Sequence, residues 1–291
     1  MKLTLGPIQY YWPRDTLAAF YEAAAHWPVD VIYLGETVCS KRRQFRLDDW
    51  LETARRLADA GKEVVLSTLA LLEAESELKT LRRLCANGEF MVEANDMAAV
   101  HLLSQAGVPF VAGPTVNLYN PAGLEVLARA GMTRWVVPLE LGREVLAGFE
   151  GRIPEGVETE LFAWGRLPLA YSARCYTARF HELPKDDCQY RCLDYPDGFT
   201  LRTKEGEPFL AVNGIQTQSA LTQNLLPELQ TMAALGVDLV RISPQAHHME
   251  RIVKAFADAL AGRTAPSLDA LAPLGACDGY WHGQAGMARE G

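Results

Sequence analysis

The run VDVIYLGETVCSKRRQFRLDDWLETARRLADAGKEVVLST, residues 29–68, decides the architecture. It opens on a short continuous apolar stretch, 29–34, of the kind that forms a strand buried on both faces. An amphipathic stretch at 47–60 follows and closes on Gly61, as helices commonly close. A second apolar run, 63–68, comes directly after it. Strand, crossover helix and strand make one βα unit of a parallel sheet.

The same rhythm extends in both directions. Further strands are predicted at 3–5, 90–93, 109–112, 135–139, 158–163 and 238–242, which makes eight. Helical patterns fill most of the intervals, at 16–25, 73–85, 97–105, 122–130 and 225–235, and a last one at 249–260 follows strand eight. Gly88, Gly107, Gly131, Gly236 and Gly262 stand where helices should stop, and Asn95 or Asp96 suits an N-cap. Eight units in a row point to a closed barrel rather than an open doubly wound sheet. No Gly-rich phosphate fingerprint follows the first strand, which weakens the open alternative. The expected fold class is therefore α/β, a (β/α)8 TIM-type barrel. A chain of 291 residues accommodates one such barrel, which needs about 250, plus an insertion. Residues 1–291 are accordingly expected to form a single barrel domain.

The insertion falls after strand seven. Residues 165–222 carry no clean βα pattern and hold Cys175, Cys188 and Cys192. They also contain an expected hairpin, 199–204 with 208–213, turned at Glu205–Gly206. Long interruptions of this kind are usually functional.

Composition narrows the function classes. A net charge of −8 suits the chain poorly to holding bulk nucleic acid. The N-terminal stretch MKLTLGPIQYYWP has no apolar signal core, and no run approaches 18 apolar residues, so neither a secretory signal nor a transmembrane segment is expected. A cytoplasmic, reducing location is the expectation. There, six cysteines are better read as buried thiols, metal ligands or redox groups than as disulfides.

Cys39 lies just after strand two, and Cys175, Cys188 and Cys192 follow strand seven in a C-x12-C-x3-C arrangement. In a barrel both loops open on the C-terminal face, so four thiols can converge there. The spacing alone leaves three readings open: an iron–sulfur cluster, a zinc site, or unrelated thiols. Cys85, at a helix end, and Cys277, in the tail, read as plain buried thiols. Lys41, Arg42 and Arg43 beside Cys39, and Arg174, Arg179, Lys185 and Arg191 around the others, could stabilise a negatively charged cluster or form a docking patch. Glu36, Ser67, Glu93, Asn117, Glu140 and Arg241 fall at strand ends, where polar groups at a barrel mouth could bind substrate or move protons. No catalytic triad or HExxH helix is visible, and no catalytic residue is assigned.

The segments YLGETVCSKRR, LPLAYSARCYTAR and PKDDCQYRC, with LGPIQYYWPRDTL, FVAGPTVNLYN, NGIQTQS and CDGYWHGQAG, resemble the collagenase-like peptidase family (class U, family 32) over nearly the whole chain. Within it they look like the members that serve ubiquinone biosynthesis. The resemblance implies a four-iron four-sulfur cluster (4Fe–4S) held by Cys39, Cys175, Cys188 and Cys192. It also implies oxygen-independent hydroxylation of the aromatic ring of a ubiquinone precursor. The chain would work as a heterodimer with a homologous UbiU-like subunit, with prephenate as oxygen donor and a lipid-carrier protein presenting the substrate. Relatives that hydroxylate RNA bases make prephenate-dependent RNA modification the alternative. A non-catalytic electron-transfer or scaffolding role is a third reading. Proteolysis is not expected.

Overall fold

The computed structural model describes residues 1–290. The strands in chain order are β1 (Lys2–Leu5), β2 (Val31–Leu34), β3 (Glu63–Ser67), β4 (Met91–Ala94), β5 (Phe110–Ala112), β6 (Met132–Val136), β7 (Glu158–Tyr171), β8 (Phe199–Arg202), β9 (Pro208–Asn213), β10 (Gln216–Asn224), β11 (Leu239–Ile242) and β12 (Ala276–Cys277). The helices are α1 (Arg14–Ala24), α2 (Leu47–Asp59), α3 (Glu75–Cys85), α4 (Met97–Ala106), α5 (Pro121–Arg129), α6 (Arg143–Ala147), α7 (Tyr176–Phe180), α8 (Leu229–Ala234) and α9 (Met249–Leu260). Strands β1 to β7 pair in parallel, each with the next, and β11 pairs in parallel with both β1 and β7. The ring is thus a closed eight-stranded parallel barrel with alternating helices, a TIM-type fold.

Side chains alternate across each strand. Val31, Tyr33, Val65, Val111, Val136 and Leu239 point inward and fill the barrel. Ile32, Leu34, Leu66, Val92, Phe110 and Trp135 point outward and pack under the helices. This two-sided burial is why the strands read as continuous apolar runs. Asp96 caps α4 by accepting from the Ala98 N–H at 2.7 Å, and Gly107 ends that helix in the left-handed conformation. Asp96→Ala should cost about 1 kcal/mol of stability, read as a shift in denaturant midpoint at unchanged slope.

Three features differ from the sequence expectation. Strand six is 132–136 rather than 135–139, because Phe110 N–H already pairs with the Gly131 carbonyl and Pro138 cannot donate to a ladder. Strand seven runs on to Tyr171, well past the barrel rim; Gly165 takes φ 131°, and the pairing register with β10 shifts on either side of Pro168. Strand β10, predicted as irregular chain, returns antiparallel along it. Strands β9 and β8 continue this flap at the predicted hairpin. The insertion is therefore a sheet growing out of the barrel wall, capped by the loops that carry three cysteines.

Candidate metal centre at the barrel rim

Strand β2 ends at Leu34, and the chain turns sharply at Gly35 (φ 137°), whose position leaves no room for a Cβ against the Ser67 carbonyl. The turn is fastened by Glu36, which accepts from the N–H groups of Val38 (2.9 Å) and Cys39 (3.0 Å). Burial raises the Glu36 carboxyl above its ordinary value, against the pull of Arg42. The Arg42 side chain is almost fully buried. It donates to the Gln9 carbonyl and to Asn213 Oδ1, both at 2.6 Å, and lies 3.6 Å from Glu36. Arg42 therefore ties the Cys39 loop to β1's loop and to the β9–β10 turn.

Cys175 is the N-cap of α7, and its sulfur accepts from the Ala178 N–H at 3.4 Å. The short helix is docked by Gly214, whose N–H donates to Thr177 Oγ1 at 2.9 Å and whose carbonyl accepts from the Tyr176 N–H at 2.9 Å. Gly214 sits 3.0 Å, measured from an added Cβ, from Arg42, so the Cys175 anchor and the Cys39 anchor share one junction. The Cys188 loop is drawn to the Cys39 loop by Lys41, which donates to the Lys185 carbonyl and to Asp186, both at 2.7 Å. Gln189 and Tyr190 have positive φ, which folds the chain back between Cys188 and Cys192. Tyr190 then lies against Tyr11, ring centroids 6.0 Å apart.

These devices tie together the loops that carry the four cysteines. All four cysteines are half-buried and unpaired. Cys175 perturbs the ionisation of both Cys39 and Cys192, Lys41 is perturbed by both Cys39 and Cys188, and Arg42 by Cys39 and Cys192. Burial pushes the Cys39 thiol up to about 11, and raises Cys192 although Arg42 opposes it. Such thiols stay protonated at neutral pH until a metal takes them as thiolates. Among the described residues no three His, Cys, Asp or Glu side chains are grouped as the donors of a single metal ion would be. A tetrahedral zinc site with bonds of about 2.3 Å draws its sulfurs to roughly 3.8 Å. A cubane bears its thiolates on separate irons and so holds them farther apart. As a donor set, four thiols with a buried arginine beside them suit a cubane, whose thiolates carry a net negative charge.

Three of the basic residues are committed. Lys41 and Arg42 make the contacts above, and Lys185 binds Glu73 and the Ala173 carbonyl. Cys85 is buried at the end of α3, and Cys277 packs with Phe162 and Leu167, their thiols pushed up by burial to about 11 and about 12. Of the other candidates, only Glu36 belongs to the network around the cysteines. Asn117 and Glu140 lie on the loops after β5 and β6, where Glu140 accepts from Tyr119 OH at 2.9 Å. Glu93 and Arg241 are inside the barrel. Arg241 donates to Glu93 (2.7 Å) and Glu160 (2.8 Å), Ser67 donates to Glu93 (2.7 Å), and the Arg241 guanidinium lies over the Tyr33 ring at 4.1 Å. Tyr33, Glu160 and Arg134 continue this chain of polar contacts to Glu63 and Glu158 at the far end.

Sequence reasoning missed Gln9, Tyr171, Asn213, Gln216 and Gln218, which are hydrogen-bonded to one another across the barrel mouth. Their only signal was a polar run, QTQ, where a buried strand would be apolar.

The sequence profile of peptidase family U32 matches residues 16–267. A solved U32 peptidase, Mk0906, superposes with a TM-score of 0.48 at 14% identity, over 84% of this chain and 93% of that one. Dihydropteroate synthase from Thermus thermophilus gives 0.43 at 15%, over 90% and 93%. A truncated 3-deoxy-D-arabino-heptulosonate 7-phosphate synthase from Thermotoga maritima gives 0.45 at 11%, over 95% and 89%.

Proposed function

The chain belongs to peptidase family U32, and from that premise we propose that it is an iron–sulfur subunit of the UbiV type. In this reading it serves oxygen-independent hydroxylation of the aromatic ring in ubiquinone biosynthesis, paired with a UbiU-like subunit. Prephenate is the oxygen donor, and a lipid-carrier protein presents the precursor. What supports the reading is that the loop of Cys39 is tied to the insertion that carries Cys175, Cys188 and Cys192, through Lys41 to the Cys188 loop and through Arg42 to the β9–β10 turn that docks α7.

Cys39, Cys175, Cys188 and Cys192 would hold a 4Fe–4S cluster. Bound there, the group supplies a store for single electrons, which chemistry without molecular oxygen requires. The chain's own residues do the rest. Arg42 places a buried positive charge beside Cys39 and Cys192, which favours thiolate over thiol. Tyr11, buried, packs against Tyr190 beside this loop. Lys41 keeps the Cys188 loop from swinging away.

We assign no proteolysis. An activated nucleophile needs a base within hydrogen-bond reach. Among the described residues no serine, threonine or cysteine is hydrogen-bonded to a histidine ring; His181 Nε2 meets Tyr195 OH at 3.0 Å.

Deleting the gene tests the assignment. Ubiquinone made without oxygen should disappear and aerobic synthesis should continue. Normal anaerobic ubiquinone with altered RNA base modification would move the assignment to RNA hydroxylation. A second expectation concerns the spare thiols: Cys85→Ser and Cys277→Ser should leave iron per chain unchanged, because neither sulfur shares the junction at Arg42. Iron loss in either variant would put the wrong cysteines in the ligand set.

A further inference from the structure

The centre of the barrel mouth is crossed by hydrogen-bonded glutamines. Gln9, Gln216 and Gln218 bridge it, and the space left beside Arg241 and Ser243 is about 20 Å³, enough for a water. The large cavity lies elsewhere. About 470 Å³ opens between α2 and α3, at the C-terminal ends of β2 and β3, within the range of small-molecule sites.

Its construction follows from how α2 and α3 are held. The two helices are tied at their rims by ion pairs, Arg83 with Asp48 (3.6 Å) and Arg55 with Glu89 just beyond α3 (2.6 Å). The hollow between them reaches down to Leu34 and Leu66 on the outer face of the barrel. Phe45 and Trp50, edge to face at 4.9 Å, make one rigid aromatic wall. Leu81 and Leu84 of α3 make the opposite one. The two acids of the lining are turned away at the inner end: Glu36 onto the Val38 and Cys39 N–H groups, Glu77 onto Ser40 and the N–H of Ala74. At the rim stand Arg43 and Arg46, both exposed. Among the described residues neither guanidinium lies within 4 Å of a carboxylate. Arg43 donates Nε to the Ser40 carbonyl at 3.4 Å, and the nearby Asp49 is taken by Arg14 at 2.5 Å. An apolar slot with two guanidinium groups at its lip that form no ion pair matches a ligand that is apolar along its length and anionic at one end.

We propose that this cavity binds an amphiphilic oxyanion, its apolar body between α2 and α3 and its carboxylate or phosphate head on Arg43 and Arg46. The site goes beyond the cluster reading and does not require it. The inner end of the slot is nevertheless formed by Ser40 and Arg42, so an occupant lies beside the Cys39 loop.

Decanoate, decyl phosphate and 1-decanol, each below its micelle concentration, should be titrated calorimetrically into the full chain. The two anions should bind saturably, one per chain, and the tighter of them identifies the head as carboxylate or phosphate. Arg43→Ala with Arg46→Ala should weaken both anions at least tenfold and change 1-decanol less than twofold. Thr80→Trp fills the slot from an exposed position and should abolish all three, with an unchanged melting curve as the folding control. Leu72→Trp is the second filling variant should the first unfold. Binding should persist in Cys188→Ala, which separates this site from the cluster. Absence of saturable binding, equal affinity for 1-decanol, or anion binding untouched by the arginine and tryptophan variants would overturn the proposal.

Discussion

Cys188→Ala is expected to lower iron from about four per chain to less than one in protein purified without oxygen, with labile sulfide falling in step. The loss should be nearly complete because the devices that hold the four cysteines do not substitute for one another. Glu36 fixes Cys39, the first turn of α7 fixes Cys175, and Lys41 with the left-handed pair Gln189–Tyr190 positions Cys188 and Cys192. If the four thiols hold a cluster, removing one would leave an iron without its sulfur ligand, and the insertion would lose a cross-link to the barrel. Cys39→Ala, Cys175→Ala and Cys192→Ala should behave alike. The barrel itself should survive in each, since none of these sulfurs lies in the eight-stranded ring or among its packed side chains. Unchanged far-ultraviolet circular dichroism with lost iron is therefore the expected signature. Full iron in any one of the four variants would remove that residue from the ligand set.

Arg241→Met should destabilise the chain by about 3–5 kcal/mol. Arg241 is 4% exposed and neutralises two fully buried carboxylates, Glu93 and Glu160. Without it both charges stay inside the barrel facing each other, and each must be protonated or hydrated at a cost. Adding Glu93→Gln and Glu160→Gln to Arg241→Met should recover much of the loss, which a packing defect alone would not. The same network sets the acid limit of stability. Burial by itself would raise the Glu160 carboxyl, but Arg241, Arg134 and Thr4 outweigh it and hold it below the ordinary value of about 4.3. A depressed carboxyl contributes stability above its unfolded pKa and loses it as pH falls through its folded pKa. Stability should therefore decline below about pH 4, and Glu160→Gln should flatten that decline. Equal acid sensitivity in the variant would place the titrating group elsewhere.

The barrel was legible because its strands are buried on both faces, so runs such as VIYL and EVVLS carry an unbroken apolar signal. Helix ends were legible too, since Gly61, Gly88, Gly107, Gly131, Gly236 and Gly262 all take the positive φ that a helix stop requires. Of the flap, the β8–β9 hairpin was legible but β10 was not, because β10 buries the polar side chains of Gln218, Ser219 and Thr222 and has no apolar alternation. The four candidate thiols could be picked out by position alone, but not the parts that hold them. Arg42 looked like one of several basic loop residues and is instead the buried junction of three segments. Glu93 and Arg241 stood at strand ends, as site residues do, yet they pair inside the barrel with Glu160, whose partner no local pattern announces. The slot between α2 and α3 left no mark in the sequence, because Leu34, Leu66, Leu81 and Leu84 read as ordinary packing residues.

Mössbauer spectroscopy of the chain, grown on isotopically enriched iron and purified without oxygen, tests the four-thiolate centre most directly. The expected result is one 4Fe–4S cluster per chain, with about four irons and four labile sulfides and all iron in a single coupled species. One tightly held zinc per chain, with neither iron nor labile sulfide, would contradict it.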